Sequence, residues 1–538
     1  LLSLVAATIG LTALTTPLMG ASHSSDAEPT AKKAAAPASA HQRKEATPLL
    51  PPPEHKRVLG VMAMSAIIWF NVSGGPSGSE EIVAALGPLW AIGLMLVFVL
   101  CYSIPQALIT AELSTAFADN GGYSLWVKAA FGDFWAVQES VWSFASGVVD
   151  SALYPVLFFH VCQKLIRWAV GYGLGLEQTS CNISLYAGEK FGLLGHHRNP
   201  MLCAVQGDWM CAAEWGCKVF ILLLFAAPNF VSTKLVGRYL VSLATFVVLP
   251  FLVLLAWGSW HMEWKILTSS PAKDPDWPAI IGVLYWSTAG FDSASTIAGE
   301  VENPERTLPR ALALSVFSVI LCTGLPLLVA AGNDRFWRCW EEGSINAAMA
   351  QLCGPWLGVW AVLSSLVGNC GMFSAEFLED THQLEGMACV GLAPRIFQER
   401  SARFGTPVNA MLFQLFFLVL LVGLDFRAIM CVDNFFSVIA GLLEFFACIS
   451  LRYTQPDLPR PFRIPGPRWA LVAGLSPAIF LGFAVASATA FQTQLTGGLC
   501  ALGLVIGTLF SIVPHAARMW TARAYHGHGE HLPVGGGG

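Results

Sequence analysis

Long apolar stretches separated by short polar connections dominate the chain from residue 58 onwards. Ten of them run for about 20 residues, the length that an α-helix needs to cross the hydrocarbon core of a bilayer. Two more, at 58–87 and 279–301, are apolar at both ends but polar and glycine-rich in the middle. The pattern predicts an all-α integral membrane protein with about twelve transmembrane helices. The ten continuous spans are predicted at 88–114, 134–163, 215–232, 239–260, 310–332, 355–378, 408–424, 430–450, 469–488 and 495–513.

The two interrupted stretches are the most informative part of the sequence. In the first, the apolar run that ends at Phe70 gives way to 71–78, Asn-Val-Ser-Gly-Gly-Pro-Ser-Gly. In the second, 288–293 reads Thr-Ala-Gly-Phe-Asp-Ser. Backbone N–H and C=O groups inside a bilayer must be hydrogen-bonded, so non-helical backbone at that depth is tolerated where it lines a cavity. Two discontinuous helices, one opening each half of a chain, are typical of secondary transporters with a binding site near the midplane.

Composition and charge support this class of protein. Hydrophobic residues make up 55% of the 538 residues and charged residues 12%, about half the charged fraction of soluble domains. The net charge of −5 gives no indication of a nucleic-acid partner. Of the 30 Lys and Arg residues, 20 lie in the two tails and the loops after even-numbered spans, which predicts that both termini are cytosolic. Asn182 agrees, because it is an N-glycosylation candidate in the long loop 164–218 on the opposite side.

The two ends of the chain are predicted to lie outside a transporter domain of residues 58–513. Residues 1–57 are predicted to be a disordered cytosolic extension, rich in Ala, Pro, Ser and Lys after an apolar start. A cleaved signal at 1–20 would invert every loop against the charge bias, so we interpret that stretch as a gene-model extension. Residues 514–538 are predicted to form a cytosolic tail. The cysteines available for disulfides on the predicted oxidising side include Cys181, Cys203, Cys211, Cys339 and Cys353.

Several motifs, taken together, resemble the amino acid–polyamine–organocation superfamily. They are Val72–Gly78 in the first break, Glu112–Tyr123 after the second span, Gly299–Arg310 after the sixth and Pro456–Phe462 after the tenth. The string Ser146–Leu157 resembles the polyamine-uptake branch known from plants and protists, which is similar to L-type amino acid transporters. The resemblance covers the whole predicted domain. It implies a LeuT-like five-plus-five inverted repeat with two extra C-terminal helices, and proton-coupled uptake of polyamines or amino acids.

The first break and the third span supply the main candidates for substrate binding. The half-helix ends at a break carry roughly +0.5 and −0.5 charge, and the break offers Ser73, Gly74, Gly75 and Gly78 for close approach of backbone to a substrate. A polyamine also needs acceptors for its ammonium groups. Asp150 is the leading candidate, because a charge within a span costs about 2.5–3.5 kcal/mol.

A stripe on the third span supports this choice. Trp142, Ser146, Asp150 and Tyr154 recur every four residues, so they drift only slowly around one helix face. The stripe offers a carboxylate, a hydroxyl and aromatic faces for cation–π contact. A carboxylate paired to another helix for packing is the alternative.

The sixth span adds Trp286, Phe291 and Asp292 at its break. By resemblance, the Trp286 position lines the substrate cavity and Asp292 lies where relatives carry a coupling or gating acid. From the residues alone, Asp292 could equally be a simple helix N-cap. Two other intramembrane acids, Glu376 and Glu444, have no partner that the sequence identifies.

Acids at the predicted cytosolic helix ends are candidates for coupling or gating. We expect Glu112, Glu300 and Glu302 to form salt bridges with Arg306 and Arg310. The segment 382–407, which contains Arg395, Arg400 and Arg403, is predicted to be a cytosolic loop with an anchoring role. Some amino acid relatives carry a lysine in the fifth span in place of a bound sodium ion. Residues 239–257 contain none, and Ser364–Ser365 leave a sodium site open, so the coupling ion is H⁺ or Na⁺.

Three functions are therefore compatible with the sequence. The first is a polyamine symporter that works by alternating access, and the second is an amino acid permease or exchanger of the same fold. The third is a non-transporting nutrient sensor, although the tails are short and low in complexity. An enzyme is not expected, because no nucleophile–base pair or set of metal ligands stands out, and neither a metal nor an organic cofactor is predicted. The oligomeric state is not predicted.

Overall fold

The computed structural model describes residues 57–173, 209–271, 274–423, 426–492 and 494–527. The regular structure of these residues is helical, with one isolated β-bridge between Leu59 and Val301. Most of the predicted N-terminal extension, Asn182 and the centre of its loop lie outside the described residues. The α-helices are, in chain order, α1 Val61–Val72, α2 Glu80–Leu86, α3 Pro88–Ala116, α4 Gly122–Phe131, α5 Asp133–Gly173, α6 Trp209–Val231, α7 Thr233–Gly258, α8 Trp264–Leu267, α9 Trp277–Trp286, α10 Pro304–Asn333, α11 Ser344–Cys353, α12 Pro355–Cys389, α13 Val408–Leu421, α14 Phe426–Thr454, α15 Arg468–Ala490 and α16 Gln494–Gly527.

The apolar helices lie where the hydropathy pattern predicts membrane spans. Among the described residues, eight helices (α3, α5, α6, α7, α10, α12, α14 and α15) are long and apolar enough to cross a bilayer. Shorter apolar helices, α1, α9, α13 and 496–512 of α16, lie at the other predicted spans. The chain is thus a multi-pass membrane protein, while the twelve-span topology and the orientation of the termini stay predictions. Exposed tryptophans lie at or near helix ends, as in a membrane-interface belt: Trp90, Trp209, Trp260, Trp277 and Trp356.

The first interrupted span is broken, as predicted. Helix α1 ends at Val72 and α2 begins at Glu80. Between them, Gly74, Gly75 and Gly78 have φ angles of +56°, +124° and +95°. These angles are open to glycine but costly for residues with a Cβ atom, so the glycine cluster is what allows the chain to leave the helix here.

The second interrupted span is broken in the same way. Helix α9 ends at Trp286, and the chain continues after a turn as a tight 3₁₀ segment, Ser293–Glu300. Gly290, with φ of +107°, lies in this turn, and a Cβ atom there would be 3.3 Å from the Asn71 carbonyl oxygen in the first break. The two breaks therefore face each other across a short distance.

A second pair of matched features follows the breaks. The strings Val-Leu-Cys-Tyr-Ser-Ile-Pro at 99–105 and Ile-Leu-Cys-Thr-Gly-Leu-Pro at 320–326 correspond position by position. Each contains a π-helical turn, Val99–Ser103 in α3 and Ile320–Gly324 in α10. A proline two residues later lacks the N–H that an α-helix would use, and the wider π turn accommodates this loss. The two π turns and their prolines thus occupy matching places in the span that follows each break, as the predicted repeat would require.

Helices α5, α12 and α14 form the centre of the bundle. In the most apolar stretch of each of these helices, 78%, 61% and 67% of the residues are buried, against 22–28% in α6, α7 and α15. Helix α5 packs along both α12 and α14. Intramembrane acids on these three helices are therefore enclosed by protein rather than exposed to lipid.

Several predicted boundaries need correction. Helix α12 continues to Cys389, so the segment from 382 to 389, predicted as loop, is helical. The last helix runs to Gly527 rather than ending at 513.

Cys211 and Cys339 are disulfide-bonded, which agrees with the expected oxidising side, whereas Cys217 and Cys353 are free thiols.

Close packing of α12 against the loop after α3 gives a first prediction. Gly386→Ala would place a Cβ atom 2.3 Å from backbone atoms of Asn120 and Gly121, which cannot move aside as a side chain can. We expect a loss of about 1–3 kcal/mol in stability, measured as a lower thermal unfolding midpoint in detergent. Gly474→Ala is the matched control, since it is also helical but has open space around it. An equal effect of both substitutions would contradict the packing argument.

Candidate functional site

A cavity with about 610 Å³ of empty space lies between the two breaks and helices α5, α12 and α14. Among the described residues, its wall contains no Lys, Arg or His side chain. It contains six carboxylates, and a cavity lined by one sign of charge attracts ligands of the other sign. The arrangement therefore favours a cationic ligand. The acids are Asp150, Asp292, Glu376, Asp380, Asp433 and Glu444.

Asp150 is held by two predicted neighbours. The indole Nε1 of Trp286 donates a hydrogen bond to its Oδ1 at 3.0 Å, and the hydroxyl of Tyr154 donates to its Oδ2 at 2.5 Å. A carboxylate has about four acceptor sites, so these two donors orient the group and leave capacity for a ligand. The structure thus brings Asp150, Tyr154 and Trp286 together from α5 and α9.

Among the described residues, the partners found for the neighbouring acids Asp433 and Asp380 are neutral. Ser146 donates a short hydrogen bond to Asp433. Asp380 accepts from the amide of Gln414 at 2.6 Å. It also lies against Gly147, where a Cβ atom would come within 2.0 Å of its Oδ1. Neutral donors orient these carboxylates without balancing their charge, so a cation or a proton has to do so.

A smaller cavity of about 250 Å³ lies beside the first break. Ser73, Ser77 and Met372 line it, and Tyr154 and Trp286 line it as well. Trp286 and Asn71 line both cavities, so the two cavities meet at these residues.

The glycines of the first break make room for the Trp286 side chain and for neighbouring helices. A Cβ atom at Gly78 would come within 2.8 Å of the Trp286 ring. Gly74 lies against Met372, and Gly75 faces Phe251 of α7. Ser73 lines the smaller cavity, but Gly74, Gly75 and Gly78 line neither one.

Two aromatic residues that the sequence places near the site lie elsewhere. Phe291 is fully buried and belongs to the main hydrophobic core, not to either cavity wall. Trp142 belongs to a separate apolar cluster against α14 and α16, so the predicted stripe contributes Ser146 and Asp150 to the larger cavity and Tyr154 to the smaller one.

Asp292 lines the larger cavity; it occupies the N-cap position of the 3₁₀ segment, but its side chain makes no capping hydrogen bond there. Glu80, the acid beside the first break, accepts from the backbone N–H groups of Gly78 and Gly343. Sequence reasoning missed Asp380 and Asp433. An inventory of every acid within the apolar runs would have found Asp433, whereas Asp380 lay beyond the predicted end of its span.

An ion-pair network closes one end of the bundle. Arg400 donates to Glu300 at 2.6 Å and to Glu385 at 2.7 Å, and Asn120 contacts both acids. Burial would lower the pKa of Arg400, but the hydrogen bonds and charges of Glu385 and Glu300 raise it above its usual value. Glu300, His382 and Glu385 have donor atoms close enough to hold a metal ion, but the cation that lies against both acids is the Arg400 guanidinium.

The predicted partners of the gating acids are wrong. Glu112 pairs with Arg452 and, at 3.1 Å, with Arg460. Arg306 and Arg310 are exposed. Arg400, expected only to anchor a loop, is instead the cation at the centre of the network.

Comparison with known proteins identifies the family. The amino acid permease family matches residues 59–508. The chain belongs to this family. Polyamine transporter PUT1 of Oryza sativa subsp. japonica is 34% identical over 461 residues, which cover 85% of this chain and 79% of the relative. Polyamine transporter RMV1 of Arabidopsis thaliana is 32% identical over 83% of this chain and 84% of its own length.

A more distant relative within the comparison is an amino acid transporter. Cationic amino acid transporter 2, vacuolar, of Arabidopsis thaliana is 25% identical over 54% of this chain and 48% of its own length. The family and these relatives make the chain a transporter of small molecules, not an enzyme.

The network at Arg400 gives a second prediction. Arg400→Gln would leave Glu300 and Glu385 buried without a cation, a change that costs about 3–5 kcal/mol in buried ion pairs. We expect a lower thermal unfolding midpoint in detergent. Arg403→Gln is the matched control, because Arg403 is exposed and stacks only on Phe404. Equal midpoints for the two variants would show that the network adds no stability.

Proposed function

We propose that this permease is a secondary active transporter that takes up polyamines, such as putrescine and spermidine, by alternating access. The single observation that carries the proposal is the cavity with six carboxylates and, among the described residues, no basic side chain in its wall. A polyamine brings two or more ammonium groups separated by methylene chains. Such a ligand can balance several carboxylates at once.

Electrostatics favour this substrate over a zwitterion. Two unit charges 4 Å apart interact by about 4 kcal/mol at the effective dielectric typical of protein sites. An ammonium near Asp150 gains energy of this order before desolvation, whereas a substrate carboxylate in the same cavity would be repelled. The indole of Trp286 adds a cation–π surface beside the carboxylate that it orients. Relatives that share most of the chain are named polyamine transporters.

The two ends of the site have the parts that alternating access needs. Trp286 lines both the large cavity and the smaller one beside the first break, and we infer that its indole is the closure on that side. At the other end, Arg400 joins Glu300 to Glu385, and the N–H groups of Val58 and Leu59 bond to the Glu300 carbonyl. Opening one closure at a time would expose the cavity to one side of the membrane, with Glu112 and Glu300 in the ion pairs that hold the inner end.

Protons are the coupling ion in this proposal, because the acids of the cavity can hold a proton whenever the polyamine is absent. Asp292 and Asp150 are the candidates for this exchange, since both face the cavity. Sodium is the alternative, but Ser365, one of the two candidate ligands, is already bonded to Ser77 at 2.9 Å. We further propose the plasma membrane as the site of action, with both termini in the cytosol.

Uptake of cationic amino acids is the second candidate function. The unwound backbone of the first break could receive a substrate carboxylate on its free N–H groups, and a relative is named a cationic amino acid transporter. Such a substrate would bring one carboxylate and two cationic groups to the site.

Counterflow in proteoliposomes separates these functions. We expect labelled spermidine to exchange and a transmembrane pH gradient to raise its accumulation, while arginine competes weakly. Efficient arginine exchange without spermidine exchange would establish the amino acid function instead. Saturable spermidine binding without any exchange would indicate a sensor.

Asp150→Asn tests the site itself. The change keeps an acceptor oxygen for Trp286, and the new amide N–H can donate to the Tyr154 hydroxyl, but it removes the charge that faces the substrate. Hydrogen bonds to charged groups contribute about 1.5–3 kcal/mol, so we expect spermidine uptake per surface molecule to fall at least about tenfold. Glu341→Gln, which removes an exposed acid away from the cavity, should leave uptake unchanged. Normal uptake by the Asp150 variant would remove this residue from the site.

A further inference from the structure

The carboxylates of the large cavity fall into two groups. Asp150, Glu376, Asp380 and Asp433 interact electrostatically with one another on α5, α12 and α14. We call this set the upper group. Asp292 and Glu444 form a separate pair, which we call the lower pair, where the second break meets the inner part of α14.

The two groups are separated along the cavity. Asp433 and Glu444 lie on the same helix, eleven residues apart, and an α-helix rises 1.5 Å per residue, which places their Cα atoms about 16 Å apart. Lining residues continue along α14 through Asn434, Ser437 and Ala440 between them. The cavity is therefore elongated, with carboxylates at both ends.

The carboxylate of Glu444 is the group at the lower end of the cavity that has room to bind a ligand. Its side chain is 1% exposed and lines the cavity, and apart from the neighbouring carboxyl group of Asp292 neither of its carboxylate oxygens has a hydrogen-bond partner among the described residues. Buried carboxylates are expensive unless they are paired or protonated. By contrast, Asp150 and Asp433 in the upper group each accept hydrogen bonds from protein donors. Glu444 therefore offers acceptor capacity at the lower end that no neutral or basic donor among the described residues uses.

We propose that the lower pair is a second amine subsite, which makes the cavity selective for long polyamines. This proposal rests on the proposed polyamine function. One terminal ammonium lies at Asp150 in the upper group, the methylene chain follows α14, and a distant ammonium is bound by Glu444 with Asp292. Spermidine or spermine can reach both ends, whereas putrescine, with four carbons between its amines, reaches only one. Glu444 is then a specificity-determining residue rather than a requirement for transport.

The first test uses the unaltered protein. A series of linear α,ω-diamines of increasing length, together with spermidine and spermine, is used to displace labelled spermidine from the purified transporter without a pH gradient. We expect affinity to rise to an optimum at a length well beyond putrescine. Affinity that is highest for putrescine, or equal along the series, would overturn the proposal whatever any variant does.

The second test uses Glu444→Gln with Glu444→Asp as the conservative variant. Losing one charge-assisted contact should weaken spermidine binding about tenfold while putrescine binding changes less than about twofold. The aspartate variant should retain part of the preference. Glu379→Gln is the matched control, since Glu379 is equally buried and unpartnered among the described residues but does not line the cavity. We expect it to leave the spermidine-to-putrescine ratio unchanged.

The outcomes separate this inference from the proposed function. If Glu444→Gln weakens the binding of spermidine and putrescine equally, Glu444 does not determine the selectivity for long polyamines. The same conclusion follows if Glu379→Gln shifts the spermidine-to-putrescine ratio as much as Glu444→Gln does. If the unaltered protein neither binds nor exchanges any polyamine, the proposed function itself fails. Retained putrescine exchange by a variant that has lost spermidine preference supports both.

Discussion

The main physical constraint on this structure is that six carboxylates share one cavity inside a membrane bundle. Each would cost several kcal/mol as an isolated buried charge, and the described part of the cavity wall supplies no basic side chain. Placing them on the most buried helices, α5, α12 and α14, keeps them away from lipid but does not neutralise them. Protons or a cationic substrate must do so. A transporter can use this dependence, because ligand entry and proton release then become alternatives at the same groups.

The partners of the buried acids differ according to where the acids lie. At one end of the bundle, Glu300 and Glu385 share Arg400, and Glu112 is paired with Arg452 and Arg460. Within the cavity, Asp150 and Asp433 receive only neutral donors. Ion pairs fix geometry because their charges are already balanced, so they suit a closure. Unbalanced carboxylates are strong acceptors for a mobile cation, so they suit a binding site.

The sequence predicts local features of this site better than its partners. The glycine cluster predicts the first break, since glycine adopts the angles found at Gly74, Gly75 and Gly78 at the least cost, and the four-residue spacing predicts that Asp150 and Tyr154 meet. The pairing of Glu112 with Arg452 joins residues 340 positions apart and depends on the packing of α3 against α14, which periodicity cannot encode. Asp380 was missed because apolar character declines before α12 ends. Trp142 was misplaced because a helical stripe does not indicate where a cavity stops.

The two halves of the chain stabilise each other's breaks. In α3, the hydroxyl of Ser103, at the end of the first π turn, donates to the Thr288 carbonyl in the second break at 2.6 Å. In α10, the hydroxyl of Thr323 in the matching π turn lies 2.5 Å from the hydroxyl of Ser73 in the first break. Each π turn thus places a hydroxyl group beside the break in the other half, where Ser103 donates to a backbone carbonyl and Thr323 contacts a side-chain hydroxyl. Unwound peptide groups at membrane depth need such partners. Ser103 supplies one to the second break directly, and Thr323 holds Ser73, whose hydroxyl donates to the Gly75 carbonyl in the first break, so the breaks are held in position by the two matching helices.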